Sequence, residues 1–449
     1  MVLRALRGPL YARSEPPKRI EILVKIVIFN QDWFANELRS LGHEVITCGF
    51  EHHLEFQIPR YMNNIADVLA NIGGPRPDAL IWHDNSMPVL LMSGFDTCEI
   101  PTIFYSVDTH HHHNIHSFIA PLFDYVLVAQ KDYLPVFGES DTPSSWFPLW
   151  APRFVEAQSE KRFPATFVGN LNPQLNPRRV AFFEALQNKI PIHIDHGDYW
   201  KIFPYADIVV NQTVKGDLNF RVFEAMMCGS LLLTERTPNG LFDLFEEGTH
   251  LVTYTPDDVE EAASKVQHLL RNPDRMREIA RAGRDMVLNN HMAIHRAKTI
   301  ETLCLSLKKR RPHRDRHYIA MMNYVAANKI NRKSNGVACP HAASYALIAA
   351  EAGLTAGAPI TPTQTSYLIG ACSVFDCLTK TAVGETLLSA FHARIPNNPI
   401  LAFAMIRKHL NRGDKLSAEK IALSINPTNP HRVYVEAEKT VSTIIDSCC

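Results

Sequence analysis

The sequence predicts an α/β protein with two doubly wound, parallel-sheet domains, followed by a helical region. Short apolar runs of strand length alternate with longer mixed segments from about residue 20 to residue 306. A cluster of prolines divides this alternation into two series, and beyond about residue 307 strand-like runs give way to Ala-rich stretches. Because buried strands separated by helices form parallel sheets covered on both faces, we expect two Rossmann-like domains that face a cleft.

The first series is assigned to an N-terminal domain, residues 20–150, preceded by a flexible segment at residues 1–19. An apolar run at residues 22–29 contains Lys25 as its one charge and predicts a buried strand. A helix-like stretch ending at Gly42 leads to a second strand at residues 44–48. Further strands are predicted at residues 79–82, 102–105 and 125–128.

The second series is assigned to residues 151–306. The two series are separated by a predicted linker, because prolines cluster there, at Pro143, Pro148, Pro152 and Pro164. Strands are predicted at residues 165–168, 190–194, 208–210 and 231–234, and helices at residues 178–189 and 219–227.

The remaining residues, 307–449, are predicted to be helical. The motif Pro-Asn-Asn-Pro at residues 396–399 recurs 31 residues later in a similar form, Pro-Thr-Asn-Pro at residues 427–430. Residues 391–430 resemble a tetratricopeptide repeat, which implies a helical array that binds a protein partner.

Composition and charge exclude several classes of protein. With 46% hydrophobic residues the chain can bury large cores, so it is not broadly disordered. Lys plus Arg equals Asp plus Glu at 46 each, which gives no overall attraction to nucleic acid or to an acidic membrane. Nine cysteines without a CxxC pair predict reduced thiols and a cytoplasmic location. No stretch is suited to crossing a membrane, and we predict no secretory signal.

Residues 217–241 carry the pattern that points to nucleotide chemistry. Asp217 or Asn219 is expected to cap a helix that Gly229 ends. This helix is largely apolar, so the Glu224 carboxylate either reaches an edge or is buried, where the hydroxyl groups of a ribose would satisfy it. Arg221 lies one turn earlier, near the positive helix end, where a diphosphate is favoured. The alternative is a surface ion pair between Arg221 and Glu224.

This pattern extends into a longer resemblance. Three stretches carry it: Tyr-Ala-Asp-Ile-Val-Val at residues 205–210, Asn-Phe-Arg-Val-Phe-Glu-Ala-Met-Met-Cys-Gly at residues 219–229 and Asn-Gly-Leu-Phe-Asp-Leu-Phe at residues 239–245. Together they closely resemble the donor-binding half of GT-B glycosyltransferases. The resemblance is closest to the group that includes the spore-maturation CgeB-like proteins. It is strong over residues 167–300, fainter over residues 20–150 and absent beyond about residue 310.

The resemblance implies transfer of a sugar, a hexosyl unit, from a nucleotide-diphosphate donor to an acceptor hydroxyl, without a cofactor or a bound metal ion. The acceptor stays open among a glycan, a protein and a small molecule. The broader family carries two glutamates eight residues apart, and here the earlier position is Gly216, with Asp217 beside it. Retention or inversion at the sugar therefore stays open.

The resemblance also assigns donor-binding residues. It implies that Glu224 holds the ribose and that Arg221 stands by the phosphates, with Asn219 also among the donor-binding residues. The loop that contains Asn239, Gly240 and Leu241 would lie against the diphosphate and the sugar through its backbone amides.

A second donor-side segment is Phe-Val-Gly-Asn at residues 167–170, followed by Arg178. It resembles the first strand and helix of the family's donor domain. Gly169 and Asn170 would allow close approach of a phosphate, which Arg178 would neutralise. The alternative is a tight turn and an exposed helix start.

The acceptor side is assigned to the segment after the strand at residues 102–105. Asp108 follows that strand and precedes four consecutive histidines, which resembles the loop where many GT-B enzymes present His or Asp. Asp108 would be the general base or a polar anchor for the acceptor hydroxyl, with His110 or His111 as its neighbour. Alternatively, Asp108 only caps a helix. The spacing of Asp108, His112 and His116 also fits a metal site, but we predict none because no second ligand cluster accompanies it.

Two further expectations concern the end of the chain. The basic stretch at residues 308–311, with Arg314 and Arg316, is predicted to be a solvated linker rather than a lipid or nucleic-acid site, since no aromatic residues are interleaved. The alternative to an enzymatic function is that the protein is a non-catalytic GT-B-like scaffold whose helical tail binds a protein.

Overall fold

The structure is a computed structural model of the 449-residue chain. It describes residues 23–59, 64–84, 94–95, 97–138, 142–310, 365–366, 368–370, 372–373, 376 and 381–446. The predicted flexible segment at residues 1–19 and the basic residues Arg311, Arg314 and Arg316 lie outside the described residues.

The first domain is built on a seven-stranded sheet in which every pairing is parallel. The strands lie in the order β3-β2-β1-β4-β5-β6-β7, with bounds β1 (Lys25–Phe29), β2 (Glu44–Gly49), β3 (Phe56–Gln57), β4 (Ala79–His83), β5 (Thr102–Ser106), β6 (Tyr125–Val128) and β7 (Ser144–Trp146). Every residue of β1, β4 and β5 is buried, because helices cover both faces of the sheet. The strand order reverses between β1 and β4, so the crevice for a ligand lies at their carboxyl ends.

Two strands of this sheet were not predicted, and both are short edge strands. β3 has two residues and β7 has three, too few to show a hydrophobic period. β7 follows Pro143 directly, inside the predicted linker, because the Pro143 carbonyl still accepts a hydrogen bond from the Val126 N–H (2.9 Å). The helices of this domain are α1 (Ala35–Ser40), α2 (Ile65–Ile72), α3 (Thr109–Ile119) and α4 (Leu134–Gly138).

The second domain contains a five-stranded parallel sheet in the order β12-β11-β10-β8-β9. Its strands are β8 (Phe163–Val168), β9 (His193–Asp195), β10 (Ala206–Asn211), β11 (Leu231–Glu235) and β12 (Val252–Tyr254). The order reverses between β8 and β10, which places the ligand crevice of this sheet there. Two doubly wound domains were predicted, and the structure confirms that fold class.

Two boundaries in the second domain differ from the prediction. Pro164 is not in the linker but is the second residue of β8, near the strand start, where a proline is tolerated. The strand predicted at residues 190–194 begins only at His193, since Pro191 has no N–H to extend the ladder. The helices are α5 (Pro177–Gln187), α6 (Tyr199–Ile202), α7 (Phe220–Met227), α8 (Leu241–Leu244), α9 (Val259–Arg271), α10 (Pro273–Asn290) and α11 (Ala293–Ser306).

After the second sheet the chain returns to the first domain. In α11, Arg296 donates to the carbonyls of Pro148 (2.8 Å) and Leu149 (2.9 Å). Lys309 Nζ then lies 3.0 Å from the buried Asp124 Oδ2, and the Arg310 N–H donates to Asp124 Oδ1 (2.7 Å). The prediction of a solvated linker is therefore wrong at Lys309 and Arg310, which are anchored on the first domain.

Four helices follow in the described part of the C-terminal region: α12 (Val383–Arg394), α13 (Pro399–Asn411), α14 (Lys415–Ile425) and α15 (Pro430–Asp446). Each Pro-x-Asn-Pro motif ends at the first residue of a helix, with its asparagine just before that helix. The Asn398 side chain accepts hydrogen bonds from the N–H groups of Ile400 and Leu401, and a proline is favoured at the next position because it needs no partner for an N–H.

The C-terminal helices share an apolar core with the first domain. Leu401 and Ile406 of α13 belong to the same buried cluster as Val27 of β1 and Leu80 of β4. The prediction of a helical region is confirmed, while the tetratricopeptide likeness and the domain boundaries stay predictions. Among the described residues, no helix combines the length and the apolar character needed to cross a membrane.

Candidate functional site

The carboxyl edges of the two sheets face each other, and side chains from both domains meet there. Gln130, just after β6, is 1% exposed, and its Oε1 accepts hydrogen bonds from the Leu218 N–H (2.8 Å) and from Asn239 Nδ2 (2.5 Å). Asn239 Oδ1 in turn accepts from the Asp132 N–H (3.0 Å). The loop after β11 is therefore tied to the first domain through the buried Asn239 side chain.

Helix α7 carries Glu224, the residue predicted to hold the ribose of the donor. The helix buries its apolar face and stops at Gly229, whose φ of 77° permits the left-handed turn. Glu224 is half-buried, and no hydrogen bond or ion pair from any described residue reaches its carboxylate. Burial raises the pKa of Glu224 to about 7, although Arg221 and Arg153 act in the opposite direction. The site thus holds a carboxylate that needs hydrogen-bond donors to stay ionised.

Arg221 connects the ends of β8 and β10, the two strands between which the order of the second sheet reverses. Its Nε donates to the Val168 carbonyl (3.0 Å), and its Nη1 donates to Asn211 Oδ1 (2.7 Å). The guanidinium lies 4.5 Å from the Phe167 ring centroid. Burial lowers the pKa of Arg221 to about 10, so it stays charged at neutral pH. The alternative of a surface ion pair with Glu224 is wrong, because Arg221 is held by these other partners.

Gly169 is required by this arrangement. A Cβ atom at this position would lie 2.5 Å from Arg221 Nη2 and 2.8 Å from Phe167 Cζ. Asn170, its neighbour, is exposed and lines a surface pocket of about 520 Å³ together with Leu171, Asn172, Pro173, Gln174 and His196. The structure therefore brings Gly169 next to Arg221 and places Asn170 at the edge of the sheet.

Arg178 already has partners within the protein. Its Nη2 donates to the buried Glu235 (2.6 Å), its Nε to Asp257 Oδ2 (2.9 Å), and its Nη1 to the Thr213 carbonyl (3.1 Å). These bonds use all three nitrogens of the guanidinium. The predicted contact of Arg178 with a phosphate stays a prediction, and the structure supplies a structural role for this side chain.

The loop at Asn239, Gly240 and Leu241 is buried at the domain interface. Gly240 has a φ of 82°, and a Cβ atom there would collide with the Trp146 ring of the first domain. Its N–H donates to the Pro238 carbonyl (2.5 Å), and the Asn239 N–H lies 3.4 Å from Thr237 Oγ1. The backbone amides of Asn239 and Gly240 thus have partners within the loop, and Leu241 begins α8 inside the core.

On the predicted acceptor side, Asp108 occupies the N-cap position of α3 but its carboxylate makes no capping hydrogen bond. The alternative of a helix-capping role is therefore wrong. Burial, followed by the charges of Asp84 and Asp217, raises the pKa of Asp108 to about 7. Asp217 comes from the second domain, so carboxylates from both domains converge at this end of the cleft.

His110 lies beside this group, whereas His111 is exposed. His110 Nε2 is 4.0 Å from Asp217 Oδ2, and its buried Nδ1 has no hydrogen-bond partner in the described residues. Burial lowers the pKa of His110 to about 3, so its ring is neutral. The His111 ring centroid lies 4.1 Å from that of His110. Asp108, His110 and Asp217 thus form one cross-domain cluster.

Asp84 and Asp217 also lie at this site, although neither was predicted as a site residue. Asp84 lies two residues after the strand predicted at residues 79–82, so its place at the carboxyl edge of the sheet was a usable signal. Asp217 stands beside the position where the broader family has a glutamate. Burial raises the pKa of Asp217 to about 6.

His116, the last residue of the Asp108, His112 and His116 spacing, is buried. His116 Nδ1 lies 2.8 Å from Ser106 Oγ inside the first domain. In the part of the chain that the structure describes, no group of three His, Cys, Asp or Glu side chains is placed to hold a metal ion.

Two Rossmann-like domains whose carboxyl edges meet across a cleft define the GT-B class of fold. Residues 152–302, which form the second domain and α11, match the family model described as glycosyl transferase-like. No curated protein sequence matches the chain. The CgeB-like grouping stays a prediction.

Solved structures similar to the chain have low sequence identity. They are HepE from Anabaena in complex with UDP and glucose (12% identity, TM-score 0.48, 63% of this chain and 100% of HepE), a glycosyltransferase from Rickettsia africae (11%, 0.46, 64% and 98%) and sucrose-phosphate synthase from Thermosynechococcus elongatus (12%, 0.45, 62% and 98%).

Proposed function

We propose that the protein is a glycosyltransferase that moves a hexosyl unit from a nucleoside-diphosphate donor to an acceptor hydroxyl. The observation that carries the proposal is Glu224, a half-buried carboxylate in the cleft-facing helix, without a partner among the described residues. The two hydroxyl groups of a ribose would supply the hydrogen bonds that keep this carboxylate ionised. The match of residues 152–302 to a glycosyl transferase-like family supports the same function.

The diphosphate of the donor would lie at the start of α7. Arg221 Nη2 makes no hydrogen bond to a described residue and lies over Gly169, so this nitrogen is left for a phosphate oxygen. The positive end of α7 adds to the same attraction. In this arrangement Arg221 offsets the charge that develops on the diphosphate as it leaves.

Asp108 would take the proton of the acceptor. The acceptor oxygen forms a bond to the anomeric carbon, and the bond from that carbon to the donor phosphate breaks. The diphosphate leaves with the electron pair, and the acceptor proton passes to the Asp108 carboxylate. With a pKa of about 7, Asp108 is partly ionised at neutral pH and is basic enough to accept this proton. The proposal includes no cofactor and no metal ion.

The acceptor we propose is a hydroxyl-bearing glycan, protein or small molecule in the cytoplasm. The C-terminal helices are a candidate surface for a protein partner. Arg178 and Asn170 remain candidate donor contacts, and His110 and His111 remain candidate neighbours of the base.

Nucleotide binding tests the proposal. UDP, GDP, ADP and their hexose conjugates should be screened by thermal unfolding, because a ligand that binds only the folded protein raises the melting temperature. The best ligand should then stabilise the Glu224→Gln variant much less than the wild type. Glu278→Gln is the control, since Glu278 lies on α10 in an exposed ion pair with Arg275. If none of these ligands stabilises the wild type, the proposal is wrong and the scaffold alternative gains support.

A further inference from the structure

We propose that Asp84 is a positioning residue for the transfer reaction: it fixes the backbone at Asp108 and keeps the Asp108 carboxyl group able to take the acceptor proton. This inference rests on the function proposed above. Asp84 touches neither donor nor acceptor in this scheme and acts only through Asp108.

Asp84 holds both ends of the turn that leads from β5 into α3. The residue follows β4 directly and is fully buried. Its N–H donates to the Tyr105 carbonyl (2.9 Å), which extends the pairing of β4 with β5. Its Oδ2 accepts a hydrogen bond from the Asp108 N–H (2.9 Å). Asp84 therefore sets where the Asp108 backbone leaves the sheet.

His116 lies beside Asp84 but is not within hydrogen-bond distance of its carboxylate. His116 Nε2 lies 3.8 Å from Asp84 Oδ2, beyond hydrogen-bond distance, while its Nδ1 contacts Ser106 Oγ. Burial lowers the pKa of His116 to about 3, so the ring is neutral at physiological pH. After burial, the negative charge of Asp84 is the next largest cause of the raised pKa of Asp108.

Asp108 is faced by charged or titratable groups from several elements. From the first domain these are Asp84, which follows β4, and Tyr105 of β5, with Arg296 of α11 close to Tyr105. From the second domain they are Lys215 and Asp217, which precede α7. Helix α3 itself contributes His110, His111 and His112. The pKa values of the three histidines are lowered, with burial as the largest cause, so they are mainly neutral above pH 7. Asp84 and Asp217 are the charges that raise the pKa of Asp108.

The Asp84→Asn variant separates the two roles of Asp84. An asparagine oxygen can still accept the Asp108 N–H, so the turn should keep its shape, but the negative charge is removed. The pKa of Asp108 should then fall. We expect the acidic limb of the transfer-rate profile to move to lower pH, and the plateau rate to fall roughly 3- to 10-fold because Asp108 becomes a weaker base. The KM for the donor should not change.

Asp78→Asn is a matched control. Asp78 lies at the opposite end of β4 and also accepts a backbone hydrogen bond, from the Lys25 N–H (2.7 Å). This variant should leave the pH profile in place. A uniform loss of rate in Asp84→Asn, with no movement of the acidic limb, would mean that Asp84 is only structural and would overturn the inference.

A second measurement does not depend on turnover. Infrared difference spectra between the wild type and Asp108→Asn, with isotope-labelled aspartate, identify the Asp108 carboxyl band and its titration midpoint. We expect that midpoint to be lower in Asp84→Asn than in the wild type. An unchanged midpoint refutes the inference about Asp84 even if the protein transfers no sugar. Absence of transfer by the wild type with a lowered midpoint in the variant instead refutes the proposed function alone.

Discussion

Replacing Glu224 by glutamine should make the folded protein more stable at alkaline pH. The reason is the raised pKa of Glu224, which is about 7 in the folded protein against an ordinary value of 4.5. Between these two pH values the folded state binds more protons than the unfolded state, so this residue stabilises the protein below pH 4.5 and that contribution is lost as the pH rises through 7. Glutamine resembles the protonated carboxyl group at every pH, so the variant does not lose this stability as the pH rises.

The magnitude follows from the two pKa values. Each pKa unit between the folded and unfolded states corresponds to about 1.4 kcal/mol, which gives an upper limit of about 3.5 kcal/mol above pH 7. Partial exposure of the side chain reduces this value through solvent screening. For a domain of this size, the full ~3.5 kcal/mol would raise the melting temperature by roughly 7–14 °C.

Scanning calorimetry at pH 4.5 and at pH 8 is the assay. Glu224→Gln should match the wild type at pH 4.5 and melt at a higher temperature at pH 8. Glu278→Gln should change little at either pH, because exposed ion pairs contribute roughly 0–1 kcal/mol. Equal melting temperatures of Glu224→Gln and wild type at pH 8 would show that Glu224 is not held at an unfavourable site, and would remove the main support for the ribose contact.

Three further predictions concern other parts of the cleft and the C-terminal region. Asp108→Asn should preserve nucleotide affinity in calorimetry and lower transfer by roughly 10²–10⁴-fold, the usual contribution of a positioned acid or base; full turnover would exclude Asp108 as the base. Gly169→Ala should displace the Arg221 guanidinium and weaken nucleotide binding. The control, Gly42→Ala, is at an open position with positive φ and should affect stability but not nucleotide affinity. Equal losses of nucleotide affinity in the two variants would contradict the role of Gly169. Truncation after Lys309 should lower the melting temperature of the first domain, because it removes Leu401 and other members of a shared core, and an unchanged melting temperature would show that this shared cluster contributes nothing.

The sequence was most informative where a local pattern decides the structure. The apolar runs that became β1, β4 and β5 are buried along their whole length, so their composition alone identified them. The edge strand β7 could not be found in this way. Its three residues are half-buried, and it forms because β6 offers a partner.

The candidate site was predictable only in part, for a similar reason. Helix α7 and Glu224 lie in one continuous segment with a strong pattern. Arg178, in contrast, is held by Glu235 and Asp257, which are 57 and 79 residues away along the chain. The pKa of Asp108 is raised first by burial, then by Asp84, and also by the charge of Asp217 from the other domain. Such pairings are set by the packing of two sheets, and no local spacing encodes them.

The Gln130 side chain has a consequence for how the cleft can open. One amide oxygen holds both the segment before α7, through Leu218, and the loop after β11, through Asn239. Separating the domains would break both bonds together and release the two segments that border the donor side. The nucleotide of the proposed function would then enter and leave through a rigid-body movement of the domains, because the Gln130 side chain holds both segments.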